Sequence, residues 1–245
     1  MGPVAGSSYR LRSTVSDQAA AELGFTDRLA LLLARTECRR AESAKEKDPI
    51  YRLRYQAYLR EGAIKPNSSG AFTDAFDDIG NVYIFGLHVD GELAGAIRLH
   101  VASAEHPEFP TGQVFPEYLL PEIEAGRVIV DVTRFVADWI LARIHRGLPY
   151  VTLRIALLAA EQFGSERVLA AVRVEHQAFY RRNFFRSVCP ARPYPLLSKP
   201  IALMVLDFAA ARDDMYRRYP CFRSTLSERR LLFERSSAHE LITGV

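Results

Sequence analysis

Cysteine is scarce in this chain, and its scarcity narrows the chemistry. Three occur in 245 residues: Cys38, Cys189 and Cys221. Their number is odd and their spacing wide, so they make neither a disulfide framework nor a metal-ligand pattern. None stands beside a histidine, and no Gly-x-Ser-x-Gly elbow occurs. An activated thiol or hydroxyl nucleophile is therefore not on offer, and a reducing compartment is expected. Long apolar runs are lacking too: residues 29–34 and 201–206 are each too short to cross a bilayer. The first residues show no basic segment followed by an apolar run. Gly6 stands where an acylation motif beginning Met1-Gly2-Pro3 needs Ser or Thr. No two histidines have ligand spacing, so no metal is expected. These absences predict a cytoplasmic protein without integral membrane association.

What is present suits a globular enzyme. Hydrophobic residues make up 49% and charged residues 25%, enough to build a core. One α/β domain with terminal additions is the simplest division: a lead-in over 1–16, a domain over 17–210 and a basic extension over 211–245. Residues 212–235 hold seven arginines against four acids, which accounts for the whole net charge of +3. A basic end suits an acidic partner such as nucleic acid, a membrane surface or an acidic carrier protein. It is equally the pattern of a solvated helix face.

Periodicity gives the elements. Residues 17–33 read as a short helix and 34–43 as an edge strand. Asp48-Pro49 has the chemistry of a helix start, with Ile50, Leu53, Ala57 and Tyr58 as the apolar stripe and Gly62 as the stop. A polar loop over 65–80 leads to a hairpin of 81–89 and 92–101 turned at Asp90-Gly91. An irregular crossing segment over 102–127 precedes a strand at 128–137. Then come a helix (150–163), a strand (167–174), a short helix (177–184) and a strand (201–208). This order implies a mixed, mostly antiparallel sheet with helices on both faces.

The strand at 128–137 holds two charges, Asp131 and Arg134, in an otherwise apolar run. Buried charges need partners, and Arg98, Asp74 and Asp77 are the candidates, since carboxylate–guanidinium pairs lock orientation. Residues three apart in a strand face opposite ways unless a bulge intervenes. On charge alone the cluster is either an ion network or a catalytic site.

Four segments follow in order: Arg54-Tyr55-Gln56-Ala57-Tyr58, Asp74-Ala75-Phe76-Asp77, Gly95-Ala96-Ile97-Arg98-Leu99 and Asp131-Val132-Thr133-Arg134-Phe135. The succession resembles the autoinducer (acyl-homoserine-lactone) synthases. Their pattern runs from an arginine and an aromatic four apart, through D-x-F-D and an arginine-leucine strand end, to E-x-S-R-F. It is more similar still to the long-chain N-acyl amino acid synthases of the same GNAT acyltransferase superfamily, whose closing loop and strand are similar to PLLSKPIALM at 195–204 and Asp207. The resemblance spans residues 34–208. It implies a GNAT-like fold and transfer of a fatty acyl group from acyl carrier protein to the amine of an amino acid or similar small amine. It also implies that Arg54 and Tyr58 shape the amino-acceptor end. Asp74, Asp77, Arg98 and Arg134 would order the cleft and hold the acceptor carboxylate, with Thr133 and Phe135 beside them. Asp131 takes the position proposed to remove the amine's proton. The family pattern has Glu and Ser where this chain has Asp131 and Thr133, and the shorter carboxylate points to a bridging water.

Acyl transfer from a thioester needs a neutral amine, a proton acceptor and donors for the developing oxyanion. The thioester is reactive already, which fits the lack of a nucleophile. Acetyl-CoA-dependent relatives cradle pyrophosphate on a glycine-rich turn, but residues 143–149 hold one glycine and two arginines, Arg143 and Arg146. The expectation is a carrier protein's phosphopantetheine arm contacted by these arginines, with acyl-CoA as the alternative donor and no tightly bound cofactor. Residues 177–185 resemble the F-Y-x-x-x-G-F helix of GNAT enzymes, in which the tyrosine, here Tyr180, protonates the leaving thiolate or simply packs on the sheet. His145 and His176 read as surface or capping residues. Competing functions are an acyl-homoserine-lactone synthase using S-adenosylmethionine, a CoA-dependent N-acetyltransferase, and a basic adaptor binding nucleic acid. Few aromatics interleave the arginines, so no nucleic acid is expected.

Overall fold

Asp90 and Gly91 have φ of +52° and +93°, the left-handed pair that a two-residue hairpin turn needs. They join β2 (Val82–Val89) to β3 (Glu92–Ala102). The computed structural model describes residues 23–234; the lead-in expected over 1–16 and the end of the basic extension lie outside them. Around the hairpin the sheet adds β1 (Thr36–Arg40), β4 (Ile129–Ala137), β5 (Arg167–Val172), β6 (Arg186–Ser187) and β7 (Ala202–Asp207). The strand order is β1-β2-β3-β4-β5-β7-β6. Every pair is antiparallel except β4 with β5. That is the mixed, mostly antiparallel sheet expected.

Helices cover both faces because the central strands are apolar on both, successive side chains pointing to opposite sides. Val130 and Val132 of β4, with Ile97 and Leu99 of β3, face α6 (Leu148–Gln162). On the opposite face α2 (Ala44–Arg60) lays Ile50 and Leu53 against Ile84, Ala96 and Val136. Beside it α3 (Pro110–Val114) and α4 (Pro116–Glu124) bring Phe115, Leu119 and Ile123 onto Ile129, Leu169 and Leu203.

The start of α2 differs from expectation. Asp48-Pro49 does not open it. Ser43 does, accepting from the Glu46 N–H while Glu46 Oε2 accepts from the Ser43 N–H at 2.9 Å. This capping box outcompetes the Asp-Pro signal, and Pro49 lies inside the helix at the cost of one backbone bond.

The boundary expected at residue 210 falls inside α8 (Phe208–Arg218). With α9 (Leu226–Phe233) this segment packs Met215, Tyr219, Phe222 and Phe233 into the main core. Arg154 of α6 ties it down, donating to the carbonyls of Cys221 and Arg223 and to both oxygens of Glu228.

β4 and β5 pair from Ile129–Arg167 to Val132–Ala170 and no further. Past that point the two strands part, leaving room for a cavity within the sheet.

Candidate active site

The D-x-F-D segment folds on itself before it meets any arginine. Asp74 Oδ1 accepts from the Phe76 N–H at 3.0 Å and Asp77 Oδ2 from the Asp74 N–H at 3.0 Å. Both carboxylates are thereby turned toward the sheet. Arg98 of β3 meets them with Nη1 at 2.5 Å from Asp74 and 3.0 Å from Asp77. Arg54 of α2 reaches Asp77 at 2.7 Å, and Arg134 of β4 donates Nε and Nη2 to Asp74. Arg98 Nε also donates to Thr133 Oγ1 at 3.0 Å. All five charged side chains are nearly excluded from solvent. The expected network of Asp74, Asp77, Arg98 and Arg134 is formed, and Arg54 joins it.

Three guanidinium groups against two carboxylates set the electrostatics. Burial pushes the Asp74 carboxyl up, but Arg98 and Arg134 outweigh it and hold the group well below the carboxylate range. Asp77 is likewise lowered, burial being overcome by Arg54 and Arg98. Burial lowers the Arg54 pKa despite Asp77, and its Nε and Nη2 have no partner among the described residues. His100 next to Arg98 is pushed down to about 3, by burial and then by that charge, so it stays neutral and donates Nε2–H to the Phe76 carbonyl at 2.9 Å.

Arg134 joins this cluster through backbone geometry. Thr133 pairs with Arg98 and Val136 with Ala96, so Arg134 and Phe135 bulge opposite Ile97 alone. Arg134 takes φ +52°, a conformation costing an L residue roughly 1 kcal/mol. The bulge turns the guanidinium to the side of Thr133, where the rings of Phe72, Tyr58 and Tyr194 lie 4.6, 5.7 and 5.8 Å away.

Asp131 behaves differently from expectation. It pairs with no arginine: Thr111 of α3 donates its hydroxyl to Oδ1 at 2.6 Å and its N–H to Oδ2 at 3.1 Å. The reason is register. Asp131 stands opposite His100 and Thr133 opposite Arg98, so the charged cluster forms one step further along. Burial pushes the Asp131 carboxyl up to about 6 against the bonds from Thr111.

The parted strands border an open cavity of about 390 Å³, of the size that small-molecule sites take. Thr133, Arg134, Phe135, Tyr58 and Tyr180 line it, whereas Asp131, Arg98, Asp74, Asp77 and Arg54 stand behind the wall. Tyr180 is buried, its edge packed on Phe135 at 6.5 Å, and burial raises its pKa. Arg143 and Arg146 are exposed and lie outside the lining; Arg143 sits on the Trp139 ring at 5.0 Å.

Among the lining residues that escaped the sequence reading are Glu61, Arg173 and Trp139. His176, read as a surface or capping residue, also lines the cavity. Arg173 is buried and ion-paired with Glu61, and its Nη2 lies 2.5 Å from His176 Nε2. Burial, and then that neighbour, keep the His176 pKa low. Only the position of Arg173 just past the end of a buried strand could have signalled it. Among the described residues no cluster could hold a metal ion, and no helix is long and apolar enough to cross a membrane.

A mostly antiparallel sheet split at one parallel pair, with a substrate-sized cavity at the split and a bulged strand in its wall, is a GNAT-like architecture. The chain belongs to the N-acyl amino acid synthase FeeM family, whose model matches residues 49–207. FeeM itself, an N-acyl amino acid synthase from uncultured soil microbes, superposes with a TM-score of 0.60 at 18% identity, over 73% of this chain and 94% of that one. BjaI, a CoA-dependent acyl-homoserine lactone synthase solved with MTA, gives 0.53 at 14% identity over 76% and 89%. TofI, in a ternary complex with an inhibitor and MTA, gives 0.53 at 16% over 73% and 96%. No curated protein matches the chain in sequence.

Proposed function

We propose that this enzyme moves a fatty acyl group from an acyl carrier protein thioester to the amine of an amino acid or similar small amine, inside the cavity between β4 and β5. The observation that carries the reading is the composition of that cavity: aromatic walls from Phe135, Phe179, Tyr180 and Trp139, with guanidinium groups from Arg134 and Arg173. Apolar walls suit an acyl chain, and a guanidinium suits the acceptor's carboxylate. Arg98 is saturated and fully buried, so its part is to hold Asp74, which holds Arg134.

In the reaction the neutral amine attacks the thioester carbonyl, a C–N bond forms and the C–S bond breaks. Backbone N–H groups at the Arg134–Phe135 bulge are candidate donors to the developing oxyanion. The amine's proton leaves to water in the cavity; Asp131, raised to about 6, is the candidate final acceptor, although it stands behind the wall with both oxygens on Thr111. Tyr180 lines the cavity and keeps its proton, its pKa raised by burial, and is the candidate donor to the leaving thiolate.

A carrier-borne donor is favoured over CoA by the state of the α6 N-terminus. Leu148, Tyr150 and Val151 N–H groups are spent on His145 and Gly147 carbonyls, and Pro149 has none. Gly147 is also covered by α1 (Phe25–Ala34): a Cβ there would meet Leu29 at 2.6 Å. A pyrophosphate thus finds no cradle at this turn. The test offers acyl carrier protein thioesters and acyl-CoA in parallel, with mixed amino acids, and follows products by mass spectrometry. Carrier-dependent N-acyl amino acids are expected. Faster turnover from acyl-CoA, or a lactone formed from S-adenosylmethionine, would contradict the reading.

A further inference from the structure

Large apolar side chains left in water gather around the cavity mouth. Trp139, Ile140 and Ile144 are 48%, 65% and 64% exposed, and all belong to α5 (Trp139–Ile144), a helix with no buried residue. Trp139, Asp138 and Ala142 line the cavity itself. By the β5 wall, Val174 and Leu196 are 63% and 61% exposed, each adjoining a lining residue, Arg173 and Leu197. Ile140 and Ile144 are one helical turn apart and share a face.

Positive charge surrounds these side chains. Arg60 and Arg143 lie over the Trp139 ring at 4.8 and 5.0 Å, and Arg146 is exposed beyond them. The nearby carboxylates are occupied. Glu61 and Glu175 bind Arg173, and Asp138 caps α5 through the Ile140 and Leu141 N–H groups. Among the described residues, the free charge left on this rim is cationic.

We propose that this rim seats the enzyme on an anionic lipid bilayer, with Trp139, Ile140 and Ile144 at the interface and Arg60, Arg143 and Arg146 at the headgroups. A tryptophan flanked by arginines beside exposed aliphatics is the chemistry of interfacial anchoring. Cationic groups alone would serve an acidic carrier protein, but isoleucines two-thirds exposed are of more use in a hydrocarbon boundary. Seated this way, the cavity opens toward the membrane, and an acylated, amphiphilic product leaves into lipid rather than water. The exit of product into lipid rests on the proposed function; the docking itself rests on the rim's exposed side chains.

Trp139 is the only tryptophan, so its emission reports the rim directly. The probe is vesicles of phosphatidylglycerol and phosphatidylcholine, added to the full chain without substrates. The expected result is a blue shift with protection from an aqueous quencher, weakened by salt and by vesicles of phosphatidylcholine alone. The Ile140→Asp, Ile144→Asp double variant should lose the response while keeping its circular dichroism and its turnover of a soluble short-chain donor. Three outcomes would overturn the proposal: no shift with anionic vesicles, an undiminished shift in the folded double variant, or a shift produced by carrier protein and not by vesicles.

Discussion

Asp74 sits in a polar loop, yet it neutralises two buried arginines at once. Removing one partner of a buried pair leaves an uncompensated charge, at about 3–5 kcal/mol. Asp74→Asn is expected to destabilise by that order in urea unfolding. A loss under 1 kcal/mol would mean that Arg98 and Arg134 find other partners. The pH dependence has opposed parts. Asp74 and Asp77 have depressed pKa values, so their stabilisation is complete above the ordinary 3.8 and fades as pH falls below it. His100, lowered from 6.5 to about 3, also weakens the fold as pH drops through that window. Asp131 acts in the other direction: raised from 3.8 to about 6, it weakens the fold as pH rises across that range. Asp131→Asn should therefore gain stability relative to wild type between pH 4 and 6, read as a widening gap in urea midpoints. A constant gap would contradict the raised pKa. The pairing of Asp74 with Arg98 was legible because buried charges need partners. The isolation of Asp131 was not, because it depends on Thr111, twenty residues away in an irregular segment with no charge to mark it.

At the scale of elements, the site depends on α2 placing Arg54 and Tyr58 against β4. The helix start is fixed by the Ser43–Glu46 capping box. Ser43→Ala should cost about 1 kcal/mol, measured by thermal or urea unfolding; an unchanged midpoint would show that the first turn is held by other contacts. Both signals, Ser43-x-x-Glu46 and Asp48-Pro49, were in the sequence, and proximity to the apolar stripe favoured the wrong one. The β4 bulge was legible only as a condition: two charges three apart needed one in order to share a face. Arg134 at φ +52° meets that condition. The parting of β4 from β5 had no local signature, since it depends on where a parallel ladder stops.

For the whole molecule, the mixed, mostly antiparallel sheet and both helical layers followed from periodicity, while the spatial order of the strands and the packing of the basic C-terminal segment did not. Its arginines read as a separate surface, but Arg154 and Phe233 draw residues 211–234 into the common core. Phe233 is 5% exposed against Phe85, Tyr83 and Phe163, and Phe233→Ala should cost about 3–5 kcal/mol in a single cooperative transition. A separate early transition would instead mark an independent extension. The central claim is that acyl transfer happens in the cavity between β4 and β5. Ala142 lines that cavity, and Ala142→Phe would fill it from α5 without touching the ionic cluster. With carrier-bound acyl donor and amino acids, wild type should yield N-acyl amino acids by mass spectrometry, and the folded variant should fall by about 100-fold. Equal product from the filled cavity, or none from wild type with any thioester, would contradict the account.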